Sequence, residues 1–405
     1  MTSESSSSSP SPAGGAGPAR VPLYGDDFAE DPRRVYDELR RHGPAAPVEL
    51  APGVPATLVL GYDAALEVLR DPGTFPKDPS RWEKTVPEDC PLLAVMGSRP
   101  SCLFTDGEAH ARLRSAVTDA LGRIDDFALR LHVEETADEL IDELAGEGEA
   151  DLVGRYARPL PVRVFTRLFG CPPGIAERIL RGLMGVMEVG ASARDSALLV
   201  AEALADLVAL KRERPGADLA SWMLAHPARL DDDELALQIY TVIAAGTEPE
   251  LNLIANGLLL LLTDDRFASG LSGGSLAVED ALDEVLWTDP PLANLGTTYP
   301  VREVDFAGVR LPADQPVLVS FAAANTDPSR AVAHRTGNRA HLAWSAGPHT
   351  CPAKRHARLI ASVAIEKLLD RIPDMEPAVP AGELAWRPGP FHRALTALPV
   401  RFPPL

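Results

Sequence analysis

Basic residues are scarce in this chain. Its 405 residues carry 39 Lys and Arg against 58 Asp and Glu, a formal net charge of −19 at pH 7. No broad basic surface is compatible with that balance, which argues against nucleic acid as a general partner and leaves any local basic patch conspicuous. Cysteine is equally sparse. Cys90, Cys102, Cys171 and Cys351 are scattered, with no CxxC spacing, which speaks against a disulfide framework and a four-cysteine zinc site and fits a reducing cytoplasm. Long apolar runs are missing too. The longest run of large apolar residues, Leu258 to Leu262, is too short to span a bilayer. The first twenty residues are rich in Ser, Pro, Gly and Ala and lack the apolar stretch of a secretion signal. The expectation is a cytoplasmic protein with no membrane association, in which residues 1–20 form a disordered tail.

After that tail no internal repeat or low-complexity linker is evident, so residues 21–405 read as a single domain. Apolar residues make up 45% of the chain, enough at this length for a large core without staples. Helical periodicity dominates, with candidate helices from Pro32 to Arg41, Ala64 to Arg70, Glu108 to Leu121, Phe127 to Ala145, Pro173 to Val189 and Ala353 to Arg371, among others. The segment from Asp232 to Leu262 is the longest, about 30 residues and so roughly 45 Å. Strand signals are short: Ala56 to Gly61, Val304 to Leu311 with Pro316 to Ser320, and Leu395 to Phe402. The fold class is mainly α with a small β region.

One segment stands out chemically. Trp344-Ser-Ala-Gly347-Pro-His349-Thr-Cys351-Pro-Ala353 directly precedes a long helix. A cysteine at a helix mouth meets backbone N–H groups and the positive end of the dipole, both of which favour the thiolate. A thiolate is the strongly donating axial ligand that activates a heme iron. Gly347 lets the backbone turn closely under a flat macrocycle, Trp344 can pack on its sulfur side, and His349 can reach a propionate. The bland alternative is a buried, inert thiol. Zinc held by His349, Cys351 and His356 is a third reading, with no apparent fourth ligand.

The segment resembles the heme-binding loop of bacterial, in particular actinobacterial, cytochromes P450, with Trp344 for the usual Phe and Ala353 for the usual Gly. The likeness runs from about Tyr24 to Pro403. Asp106-Gly-Glu-Ala-His110-Ala-Arg-Leu-Arg114 is similar to the start of the family's C helix, which implies that His110 and Arg114 hold the heme propionates. Ala245-Gly246-Thr247-Glu248-Pro249 resembles the oxygen-binding segment of the long helix. There Gly246 would open room over the iron and Glu248 would deliver protons. Pro249 stands where the family usually has Thr, so the relay would run through Thr247, water or the substrate. Glu284-Val-Leu-Trp287 replaces the family's Glu-x-x-Arg, as in an actinobacterial subgroup, and Thr298 stands where a propionate-binding Arg is common.

The resemblance implies a triangular prism with heme b (iron-protoporphyrin IX) between the long helix and the cysteine-loop helix. It implies dioxygen as co-substrate, and electrons from NAD(P)H through ferredoxin reductase and ferredoxin. Arg112, Arg114, Lys354, Arg355 and Arg358 are expected to form the patch that draws the acidic ferredoxin. The substrate would be a small lipophilic or aromatic molecule of secondary metabolism. Trp82, Met96, Val242, Ala245, Gly246, Leu292, Leu295 and Phe391 align with the family's substrate-contact regions, and the first, second and last of these could equally be core. Two reactions remain open: hydroxylation or epoxidation, and radical C–C or C–N coupling, as in enzymes that join tryptophan-containing cyclic dipeptides. A non-catalytic heme sensor is the alternative of another class, because Cys351-Pro352 is also the dipeptide of heme-regulatory motifs.

Overall fold

A computed structural model describes residues 20–187, 193–268, 276–330 and 337–405. The expected tail, apart from Arg20, and the expected end of the 173–189 helix lie outside the described residues. The dominant element is the helix Asp232–Thr263, 32 residues long and so about 48 Å. Its start is fixed by a full capping box: the Asp231 carboxylate accepts from the Glu234 N–H at 2.8 Å, and Glu234 reaches back to the Asp231 N–H at 3.2 Å. The helix passes through Pro249 without ending, although that residue has no N–H to give the carbonyl four positions earlier.

Packing explains why it persists. Ile239, Ile243, Leu251, Ile254 and Leu258 are buried together with Ile360, Ala364, Ile365 and Leu368 of the helix Lys354–Arg371. Leu160 and Phe165 of the helix Pro159–Leu168 join the same core, as do Leu282 and Leu286 of the helix Leu276–Thr288. Each large aliphatic side chain withdrawn from water contributes about 1.5–3 kcal/mol, which outweighs one missing helix bond.

The β region is a five-stranded sheet in the spatial order Val21–Pro22, Ala45–Ala51, Val54–Val59, Val317–Ser320, Asn294–Thr298. Val54–Val59 runs parallel to Val317–Ser320, with Thr57 opposite Val317. The register of the last pair slips between Leu295 and Thr298, and Gly296 there has φ +61°, as a bulge requires. The strand signal from Val304 to Leu311 resolves into a hairpin of Val304–Phe306 and Val309–Leu311, separate from the sheet that holds Val317–Ser320. The expected strand from Leu395 to Phe402 contracts to Pro399–Arg401. Strand Ala45–Ala51 departs from expectation because its Ala and Pro residues carry little β-propensity; burial against the helix Pro32–Arg40 and the neighbouring strands supplies what propensity does not. Among the described residues no helix is long and apolar enough to cross a membrane.

Candidate active site

The loop before the helix Lys354–Arg371 is held in shape before any ligand arrives. The Cys351 N–H donates to the Trp344 carbonyl at 2.8 Å, and the Thr350 N–H and hydroxyl both reach the Gly347 carbonyl, at 3.1 and 2.8 Å. Gly347 has φ +69°, and a Cβ there would overlap the Leu69 carbonyl of the helix Tyr62–Arg70; only glycine fits. Ser345 takes φ +60° without that freedom, a strained residue that the sequence did not announce. Burial pushes the Cys351 thiol up, while the Ala353 N–H and the Arg114 and Lys354 cations pull it back down. Trp344 and Ala353 are half-buried and pack on the large helical core.

Facing this loop is the helix Gly107–Leu121. Arg114 donates to the carbonyl of Thr350, the residue before the cysteine, and to the Thr118 hydroxyl at 3.2 Å. The rings of His110 and His349 stack with centroids 4.1 Å apart. His349 Nε2 lies 3.2 Å from Asp106 Oδ1, and Asp106 Oδ2 accepts the Lys77 N–H at 2.5 Å. Asp106 sits at the N-cap of its helix yet makes no capping bond; its carboxylate is diverted to this cluster. Burial, with help from the other histidine and Arg114, lowers His110 to about 4, so its ring is neutral. Its Nε2 is buried with no hydrogen-bond partner among the described residues.

Across from the cysteine loop, the long helix presents a split face. Ala245 is exposed although it lies mid-helix in the interior of the fold, so a void opens beside it. Val242 and Pro249 are half-buried. Glu248 Oε1 accepts from Arg387 and from Asn252 Nδ2, the latter at 3.2 Å, while Oε2 is buried and unpartnered among the described residues. His392, lowered to about 4 chiefly by burial, feels the same carboxylate. Thr247 is buried, and its hydroxyl donates to the Ile243 carbonyl at 2.7 Å. The missing side chain of Gly246 makes room for the ring of Phe165, whose Cε2 would lie 2.7 Å from an added Cβ, so its smallness serves helix packing and Ala245 borders the void.

Other expected contacts fall elsewhere. Trp82, Met96 and Phe391 are buried in the apolar cluster under the five-stranded sheet, with Trp82 packed on Tyr299 at 5.7 Å between centroids. Leu292 and Leu295 are half-buried, Leu292 bridged to His392. Arg358 leaves the expected basic patch: its side chain is 12% exposed and clamps Asp283 and Glu279. Arg112 is tied to Glu234 at 3.1 Å and Arg355 to Asp126 at 3.1 Å. The departure at Glu284-x-x-Trp287 also finds its geometry. The Trp287 indole N–H donates to the Asn338 carbonyl at 2.7 Å and its ring meets His341 edge-on. The charged tie sits one residue earlier, where Asp283 holds Arg358 and Arg339. Among the described residues no group of three or more His, Cys, Asp or Glu could hold a bare metal ion, so the zinc reading does not assemble.

The donor set instead suits an iron porphyrin: one sulfur on a rigid loop, unsatisfied polar atoms beside an arginine, and a void at Ala245. Comparison with known proteins decides the matter. The cytochrome P450 monooxygenase PikC of Streptomyces venezuelae is 35% identical over 392 residues, covering 93% of this chain and 92% of PikC. The chain belongs to the cytochrome P450 family. The 6-deoxyerythronolide B hydroxylase of Saccharopolyspora erythraea is 32% identical over 94% of the chain and 98% of its own length. The solved structure of CYP154C4 from a Streptomyces strain superposes with a TM-score of 0.85 at 28% identity, over 95% of this chain and 98% of that one. No protein-family model matches. This P450 is therefore an oxidoreductase that uses heme, dioxygen and external electrons, which sets aside the non-catalytic sensor. Cys351 would ligate the iron, and His110, Arg114 and His349 would hold the propionates. Lys77, Asp106 and Arg387 were not singled out from the sequence. Asp106 alone left a signal there, as an N-cap type before the His110 helix.

Proposed function

We propose that this P450 is a monooxygenase of secondary metabolism that hydroxylates or epoxidises a small lipophilic or aromatic compound, with Glu248 as the proton donor on the side of the heme away from Cys351. Bound heme supplies the one-electron chemistry by which dioxygen is activated and a substrate C–H or C=C bond is oxidised. The observation that carries the reading is the state of Glu248: one oxygen fixed by Arg387 and Asn252, the other buried and unpartnered on a helix that opens to a void three residues earlier. Such a carboxylate can take up a proton on its free oxygen and pass it inward, while Arg387, 36% exposed, holds the other oxygen in place. The names of PikC and the 6-deoxyerythronolide B hydroxylase denote oxygen insertion, which supports the same reaction type. Electrons would come from NAD(P)H through ferredoxin reductase and ferredoxin, docking near Lys354 and Arg355.

A second reading is favoured by Pro249, which brings no hydroxyl beside Glu248: radical coupling of aromatic units, such as tryptophan-containing cyclic dipeptides. The Glu284-x-x-Trp287 subgroup likeness points the same way. Turnover under 18O2 separates the two. Product carrying one 18O atom supports monooxygenation; coupled product without label overturns it. Glu248→Gln is expected to lower kcat by about 10²-fold or more with little change in substrate affinity. Wild-type turnover in that variant would remove Glu248 from the relay.

A further inference from the structure

The residue at the position of the family's propionate-binding arginine is Thr298, and its side chain is buried with its hydroxyl turned to the Val317 carbonyl at 3.3 Å. That leaves Arg114 as the guanidinium of the cluster, next to the carboxylate of Asp106 and the paired rings of His110 and His349. Arg114 and Asp106 cancel. Two heme propionates placed there would add two negative charges to a partly buried cluster whose arginine is already matched by a carboxylate, an arrangement that costs heavily unless another cation is present.

Lys77 is that cation. It comes from the stretch after the helix Tyr62–Arg70, and its side chain is buried. The register slip between Leu295 and Thr298 frees backbone carbonyls, and the Lys77 ammonium donates to two of them, Gly296 at 2.8 Å and Thr297 at 3.0 Å. An ammonium has three N–H donors, so one remains. Its own backbone N–H is on Asp106 Oδ2, while Oδ1 of the same carboxylate faces His349. Lys77 is thus joined to the His349–His110 stack through a single side chain. Two polar atoms at this place are buried without a partner among the described residues: His110 Nε2 and Thr297 Oγ1. Burial lowers Lys77 to about 8, so it still carries its charge at neutral pH.

We propose that Lys77, held by the Gly296–Thr297 bulge, binds a heme propionate and replaces the arginine absent at position 298. This rests on heme binding through Cys351 and not on which oxidation the enzyme performs. The test is heme loss from the holoenzyme to excess apomyoglobin, followed in the Soret band. Lys77→Gln keeps donors for the two carbonyls and loses the charge, and it is expected to release heme about ten- to a hundredfold faster. The same comparison is made with iron-protoporphyrin IX dimethyl ester, which has no propionate charge. With the ester, Lys77→Gln and wild type are expected to release at one rate. Adding Thr298→Arg to Lys77→Gln is expected to slow release again for native heme. Lys77→Met gives a second reading if the glutamine variant does not accumulate. Release at the wild-type rate from either charge-free variant overturns the proposal, as does an acceleration that persists in full with the ester, which would make Lys77 a structural plug. Absence of the red-shifted carbon monoxide band in wild type would instead overturn the heme-thiolate assignment itself.

Discussion

The cysteine loop does most of its work through single residues. Cys351→Ser is expected to leave a folded protein whose reduced carbon monoxide complex lacks the red-shifted Soret band of a thiolate-ligated heme; persistence of that band would mean another sulfur binds the iron. This loop and the His110–Arg114 pair were legible in the sequence because their information is local: a glycine, a cysteine and a helix start within ten residues, or two side chains one helical turn apart. Lys77 and Asp106 were not, because their meaning lies in contacts to residues 219 and 243 positions away. Trp82, Met96 and Phe391 were ambiguous for a different reason. A buried aromatic and a pocket aromatic have the same sequence signature, and only exposure separates them.

Among the elements, the helix Leu276–Thr288 shows how a familiar tie can be rebuilt. Asp283 and Arg358 are 8% and 12% exposed, so removing the Arg358 guanidinium leaves the buried Asp283 carboxylate with the more exposed Arg339 as its remaining cation. Arg358→Gln is therefore expected to destabilise the protein by about 2 kcal/mol in urea unfolding and to leave the salt dependence of reduction by ferredoxin unchanged. Arg355→Glu, at an exposed site, is expected to do the reverse: slower reduction at low ionic strength, little loss of stability. Equal effects of the two variants on reduction would return Arg358 to the docking surface. In the long helix, Pro249→Thr restores the N–H that the Ala245 carbonyl lacks and is expected to keep the thiolate spectrum while changing how reducing equivalents divide between product and hydrogen peroxide. Helix positions were well legible from the 3.6-residue period. Strands Ala45–Ala51 and Asn294–Thr298 were not, because alanine, proline and glycine hide the period-two signal, and the sheet that holds both is joined by the parallel pairing of Val54–Val59 with Val317–Ser320, more than 200 residues apart in sequence.

At the scale of the whole molecule, acid is expected to be the weak side. Burial lowers His110, His341 and His392 to about 4, and His132, His349 and His356 shift the same way. An unfolded histidine binds its proton near pH 6.5. Between about 6.5 and 4 the unfolded chain therefore holds protons that the native state refuses, and stability falls as pH falls, by up to about 1.4 kcal/mol per pH unit for each such histidine. Glu250 and Glu366, raised by burial, act in the opposite sense, since their stabilising contribution is lost as pH rises through the native values. The histidines outnumber them. The urea midpoint is expected to drop steadily from pH 7 to 4.5, and His341→Phe to flatten the slope; a midpoint independent of pH over this range would show that these rings are protonated in the native state.

The ring of Phe165 lies in the notch left by Gly246, where any Cβ would overlap it. Two residues eighty-one positions apart in sequence therefore share one small volume, and position 246 cannot gain a side chain while the ring fills it. In the history of such a chain a methyl group gained on the long helix must be matched by carbon lost from the helix Pro159–Leu168. A smaller side chain at 165 is the permissive step that has to come first. Descendants with alanine at 246 are thus expected to carry leucine or valine opposite it.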